Sequence, residues 1–177
     1  MAAFLAAGVA CERAETPAEP RASATPVSSS VPSALEPCRL LTLDEASAFL
    51  RGRATASPYE RLTYASSCIW EARDPRRGLQ VTTSTATQLR TDESMRAAGV
   101  DTPHESFARL VESQTAKGDG TPISSLGDAA LWSEKEAQLW ILDKDRALVT
   151  VSFHGERREA DVRERCVEVA RKIVPRI

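Results

Sequence analysis

Long apolar runs are missing from this chain. Of its 177 residues 42% are hydrophobic, yet no run approaches the ~18 residues that mark a membrane-spanning helix. A charge excess is missing too: 23 Lys and Arg stand against 25 Asp and Glu, a formal balance of -2. Without a basic surplus there is no electrostatic case for nucleic acid as a partner. Histidine is scarce, with two in all. His104 falls in the first turn of an expected helix and His154 at the end of an expected strand. Each reads as solvated surface rather than base or ligand. The patterns H-E-x-x-H, G-x-S-x-G and the Walker loop are absent. No cysteine pair has C-x-x-C spacing, so neither a redox centre nor a zinc site is indicated. The "DKD" of 143–145 lacks the rest of a calcium loop and reads as a hairpin turn. These absences nominate no catalytic residue, no metal and no cofactor, and the expectation is a protein that is not an enzyme.

What is present begins with residues 1–10, MAAFLAAGVA, an apolar stub followed by Cys11. Such a stub has the length and character of a secretory h-region, and Ala10 is a small residue at the cut. The arrangement resembles bacterial lipoproteins, whose signal is cleaved before a cysteine that then receives lipid. No basic residue precedes the stub, and Gly8 stands where a leucine is usual. The next stretch, 12–36, holds four prolines, five serines and no aromatic residue. It cannot bury enough apolar surface to offset its ordering entropy, so 11–36 reads as the attachment cysteine and a linker. A single globular domain of roughly 140 residues, 37–177, remains.

Helix signals punctuate that domain. Thr42 with Glu45 forms a capping box behind Leu41, and Gly52 is placed to close the helix. Thr102, Pro103 and Glu105 open another helix with Phe107, Leu110 and Val111 on its apolar side. Val162, Cys166, Val169 and Ile173 share one side of a last helix, which Pro175 ends. Strands are expected at "SCIWEAR" and "GLQVTTSTAT", around a "DPRRG" turn. Leu79, Val81 and Thr83 alternate there with Gln80, Thr82 and Ser84, so one face is wet. Three more strands follow, over 124–132, 137–143 and 146–154. The order α-β-β-α-β-β-β-α predicts an α+β domain: a mainly antiparallel sheet of about five strands with three helices. Helix-then-strands occurs twice, which suggests an old duplication.

The last hairpin is apolar on both faces. A four-residue "DKDR" turn sets Trp140 opposite Val149 and Leu142 opposite Ala147, with Val151 and Phe153 on the same side. Leu139, Ile141 and Leu148 then share the other side, joined by Trp132. A strand apolar on both faces is normally covered on both. An uncovered second face would be a binding surface of Trp132, Leu139, Ile141 and Leu148.

"PCRLLTLDEA" (37–46), "CIW" (68–70) and "SLGDAALW" (125–132), followed by a hairpin and a C-terminal helix, resemble the lipoprotein domain of unknown function 3558 and its relatives. The resemblance implies an exported, lipid-anchored domain and no catalytic residue. Cys166 departs from the family pattern. With Cys11 acylated, three cysteines remain, and Cys38 with Cys68 is the expected disulfide. That link closes a loop of about 30 residues and contributes on the order of 3–4 kcal/mol. Pairings through Cys166 are the alternative; on its apolar stripe that residue reads as a buried thiol.

The expected function is thus a cell-envelope protein, held to the membrane through a lipid on Cys11 and facing the extracytoplasmic side. It would act as a non-enzymatic binding module, as a monomer, toward an unidentified envelope protein. The alternative is a carrier of a small apolar ligand between sheet and helices.

Overall fold

The computed structural model describes residues 35–59, 62–155 and 161–177. The stub, Cys11 and the linker as far as Ala34 lie outside the described residues.

The first helix, α1 (Leu43–Phe49), starts where the sequence signals it. The Thr42 hydroxyl accepts from the Glu45 N–H, and the Glu45 carboxylate accepts from the Thr42 N–H, closing both ends of the capping box. Its exit differs from expectation: Arg51, not Gly52, takes the left-handed conformation, with φ of 52°. Strand β1 (Ala54–Tyr59) follows at once, where no strand was anticipated. Then come β2 (Ser66–Ala72) and β3 (Gly78–Thr85). Two short helices unforeseen in the sequence, α2 (Ala86–Thr91) and α3 (Glu93–Ala97), lead into α4 (Pro103–Ala116). The rest is β4 (Thr121–Pro122), β5 (Ala129–Ser133), β6 (Gln138–Asp143), β7 (Ala147–His154) and α5 (Val162–Ile173).

The domain is α+β. Among the described residues one antiparallel sheet carries seven strands in the order β1-β2-β3-β7-β6-β5-β4. With five α-helices around it, the architecture matches the predicted class and exceeds the predicted five strands and three helices.

Its two faces are covered unequally. On one face α1 and α5 bury a large core with Trp70, Leu79, Val81, Leu139, Ile141, Val149, Val151 and Phe153 at its centre. The stripe Val162, Cys166, Val169 and Ile173 is buried there as predicted. Arg165 joins it, its guanidinium 4.2 Å above the Phe153 ring and bonded to the Phe49 carbonyl. On the other face α4 presents Phe107 to a smaller cluster of Leu131, Trp140, Leu142 and Leu148.

This layering argues against a duplication. Strands β3 and β7, each the last of its meander, pair antiparallel. The rotation that exchanges two such meanders runs perpendicular to the sheet and keeps each face in place. It would carry α1 onto the side that already holds α1, yet α4 lies on the opposite side.

Both sheet edges are blunted by proline. The Ala72 N–H donates to the Arg77 carbonyl, so alternate residues of β2 turn toward β1 and pair with Tyr59, Ser57 and Thr55. Pro58 therefore faces outward, where a missing N–H breaks no ladder, and the Ala54 N–H is already taken by Ser47. At the other edge the Ile123 N–H bonds the Ala130 carbonyl, which turns Pro122 outward in the same way. A strand added at either edge would find few donors.

Candidate functional site

The four residues nominated as a binding surface are core. Trp132 is 2% exposed, Leu139 and Ile141 are 0%, and Leu148 is 6%. They also do not share a face. Trp132 lies opposite Leu139, and Ile141 opposite Val149, all beneath α1 and α5. Leu148 lies opposite Leu142 and beside Trp140, beneath α4.

The predicted register was one residue out, and the turn is the reason. Lys144 and Asp145 both take positive φ, 48° and 50°, and Arg146 donates its N–H to the Asp143 carbonyl. Asp143 then pairs with Ala147, leaving a loop of 144–146 rather than four residues. A slip of one residue moves a whole strand's side chains to the other face. Val149, Val151 and Phe153 therefore join Leu139 and Ile141, while Thr150 faces Trp140.

The expected cysteine pair is brought together. The Cys38 and Cys68 sulfurs stand at disulfide distance, 2.08 Å, with their Cα atoms 5.0 Å apart. Cys38 lies in a 3₁₀ turn, Pro37–Arg39, that packs on β1, β2 and β3. Cys166 is free and fully buried. Burial pushes its thiol pKa up to about 12. Leu35, just before this turn, already packs against the core, and its carbonyl accepts from Thr83. The globular part thus begins slightly before Pro37.

Both histidines are exposed. The backbone N–H of His104 donates to Asp145, which docks the hairpin turn on the start of α4. Beside Cys38 is a cleft of 650 Å³, lined by Leu35, Pro37, Pro58 and Leu62 with the hydroxyls of Thr63 and Ser66. A more polar cleft of 560 Å³ lies between Pro122–Ser124 and the Arg163, Glu168 and Arg171 side chains of α5. Neither is lined by Trp132, Leu139 or Ile141. Among the described residues no three His, Cys, Asp or Glu gather as metal ligands, and no helix is long and apolar enough to cross a membrane.

A different surface stands out on the α4 side. Helix α4 packs on the Trp140 end of the sheet; of the β2-β3-β7 residues on that face, Ser67 and Ser152 are buried and Ile69, Gln80, Thr82 and Thr150 are half-buried. Across these strands Ser67 lies opposite Thr82, and Thr82 opposite Thr150. In the next row Ile69, Gln80, Ser152 and Gln138 follow one another. None of the seven is charged, in a chain that is 27% charged. Hydrogen bonds tie the rows together. Ser67 and Thr82 hydroxyls are 2.8 Å apart, the Gln80 amide donates to Thr82 at 3.2 Å, and His154 Nε2 meets the Gln80 oxygen at 2.9 Å. Sequence alternation had marked Gln80 and Thr82 as wet. Thr150, Ser152 and Ser67 were missed because the shared face depends on register across three strands.

Compared with known proteins, the chain matches no family model, no curated protein and no solved structure.

Proposed function

We propose that this chain is an exported, lipid-anchored cell-envelope protein whose globular domain is a non-enzymatic binding module. The observation that carries the reading is the Cys38–Cys68 pair at disulfide distance. Thiols so placed are stable as a disulfide outside the reducing cytosol, so the pair favours an exported domain. It also sits where the Pro- and Ser-rich linker ends, and so pins the point at which a tether would pull on the fold. The apolar residues 1–10 fit the signal, and Cys11 fits the attachment point of a lipid facing the extracytoplasmic side. Two acyl chains on that cysteine would give stable anchoring where one would not. The motif resemblance to the lipoprotein domain of unknown function 3558 points to the same location.

Monomeric action is favoured by the two outward prolines, Pro58 and Pro122, which discourage sheet-to-sheet pairing. Trp132, Leu139 and Ile141 are packed solidly into the core, which removes them both as the lining of a carrier cavity and as an open binding patch. The module's partner, on this reading, is another component of the envelope. Intact mass of the protein isolated from cells tests the processing. The expected result is loss of 1–10 and a diacyl mass on Cys11; an unmodified chain that retains Met1 contradicts it.

A further inference from the structure

We propose that the arginine-bearing end of strands β1, β2, β3 and β7 is a docking surface for a membrane that carries anionic phospholipid. The inference rests on the anchored reading for its linker argument, and goes beyond it by naming the end of the domain that meets the lipid.

Register brings the arginines together. Ala54 of β1 pairs with Ala72 of β2, so Arg53 and Arg73, one residue beyond each, sit side by side at the end of the pair. The β2-β3 turn then reads Arg73-Asp74-Pro75-Arg76-Arg77. The Ala72 N–H donates to the Arg77 carbonyl and the Arg77 N–H to the Asp74 carbonyl, each at 2.9 Å, which holds the turn. Strand β7 ends against it, with His154 paired to Gly78. Gly155, at φ of 80°, lies so close that a side chain there would come within 2.1 Å of the Arg76 carbonyl oxygen. Four strand ends therefore fix the backbone of these arginines across roughly 14 Å, three strand spacings.

Charge selects the partner. Arg53, Arg73 and Arg76 are exposed, and among the described residues their side chains make no hydrogen bond or ion pair. Arg51 is matched by Asp161. The Asp74 carboxylate serves its own turn, accepting from the Arg76 N–H at 3.0 Å, and Glu71 is the other acid nearby. This end is thus a positive pole on a chain whose formal balance is -2. A sheet of lipid phosphates attracts the pole and repels the remainder, which selects one orientation. Guanidinium forks also take phosphate oxygens in pairs.

The tether meets the other end of the same strands. The Thr83 hydroxyl donates to the Leu35 carbonyl, and Thr83 lies five residues along β3 from Gly78, about 17 Å. With the arginines on the headgroups and the strands upright, Leu35 stands about 20 Å above them. Leu35 follows Cys11 by 24 residues, and a coil of that length has a root-mean-square reach of about 27 Å. Reach and span match, the condition under which a tether raises local concentration most. The arginines alone hold too weakly to survive fractionation; the lipid retains the chain and they orient it.

The test is sedimentation of the full chain with Cys11→Ser, which carries no lipid of its own. The probes are vesicles of phosphatidylcholine, alone or mixed equally with phosphatidylglycerol. Binding should appear on the mixed vesicles only, at low salt, and fade as salt screens it. Arg53→Gln, Arg73→Gln and Arg76→Gln should each weaken it about fivefold with the fold intact. Lys144→Gln, in the turn at the far end of β7, should leave it unchanged. Absence of binding to the mixed vesicles, equal binding to neutral ones, or equal weakening by Lys144→Gln overturns the proposal. So does tighter binding to polyphosphate in solution, phosphate for phosphate, because the arginines would then serve a soluble polyanion. The mass of the wild-type Cys11 peptide keeps the two ideas apart. A lipidated wild type whose serine variant ignores anionic vesicles loses this inference alone; an unlipidated wild type whose variant binds them loses the anchor alone.

Discussion

Arg176, next to the last residue of the chain, grips Glu45 in the first turn of the first helix through two hydrogen bonds of 2.7 Å. The same guanidinium donates to the Leu40 carbonyl, and Glu45 also closes the capping box with Thr42. One carboxylate therefore joins a helix start to the end of the chain. The Arg176 hydrogen bonds first, then the Thr42 N–H, hold the Glu45 carboxyl down at about 2 against an ordinary 4.5. Because the folded state prefers the carboxylate, this contribution is complete above the unfolded value near 4.5 and fades as pH falls toward 2. The pair is partly exposed, so solvent reduces its worth to about 1 kcal/mol. Arg176→Ala should lower stability by that amount at pH 7. Melting curves across pH should show the parent and variant converging between about 4.5 and 2; a gap that stays constant to pH 2 would remove Glu45 from the account.

Cysteine chemistry gives a second expectation. Peptide mapping without reductant should find Cys38 joined to Cys68, and replacing both with serine should cost about 3–4 kcal/mol for a loop of this length. Cys166, buried and with its pKa raised, should react with iodoacetamide only after unfolding. A peptide linking Cys166 to either partner contradicts the pairing.

The hairpin register has its own signature. Leu148 and Phe107 belong to one cluster and Ile141 to the other. Leu148→Ala should therefore couple with Phe107→Ala by 0.5 kcal/mol or more, roughly, while Leu148→Ala and Ile141→Ala add. Coupling in the reverse pattern would restore the four-residue turn. Ile141→Asp alone should destabilise by several kcal/mol, since it buries an unpaired charge.

Gly127, in the "LGDAA" turn, has φ of 57°, and a side chain there would collide with the Leu142 carbonyl oxygen. Gly127→Ala should cost on the order of 3 kcal/mol in a thermal or denaturant melt, through strain and collision together. A loss below about 0.5 kcal/mol would mean that the turn can relax.

Local signals were legible and register was not. Thr42–Glu45 and Thr102–Glu105 mark helix starts in the sequence because a cap is chemistry between neighbours. The same signature at Thr85–Gln88 opens α2, yet it was hidden inside the run "GLQVTTSTAT", whose β-branched residues carry strand character up to the cap. Strand β1 escaped because Ala54–Tyr59 is an edge strand with four consecutive exposed residues and no apolar alternation to read. The candidate surface failed at one point. Periodicity gives which residues alternate, but the pairing across a turn depends on whether Lys144 and Asp145 accept left-handed backbone. That choice, invisible in composition, sent Leu148 to one face and Ile141 to the other.

The central claim concerns Cys11, and fractionation of cells tests it most directly. Wild-type chain and a Cys11→Ser variant, expressed in the native host at equal level, should part company. The wild type should pellet with membranes and partition into detergent, while the variant should move to the soluble extracytoplasmic fraction with its domain folded. Identical soluble behaviour of the two proteins would contradict the anchored-module account.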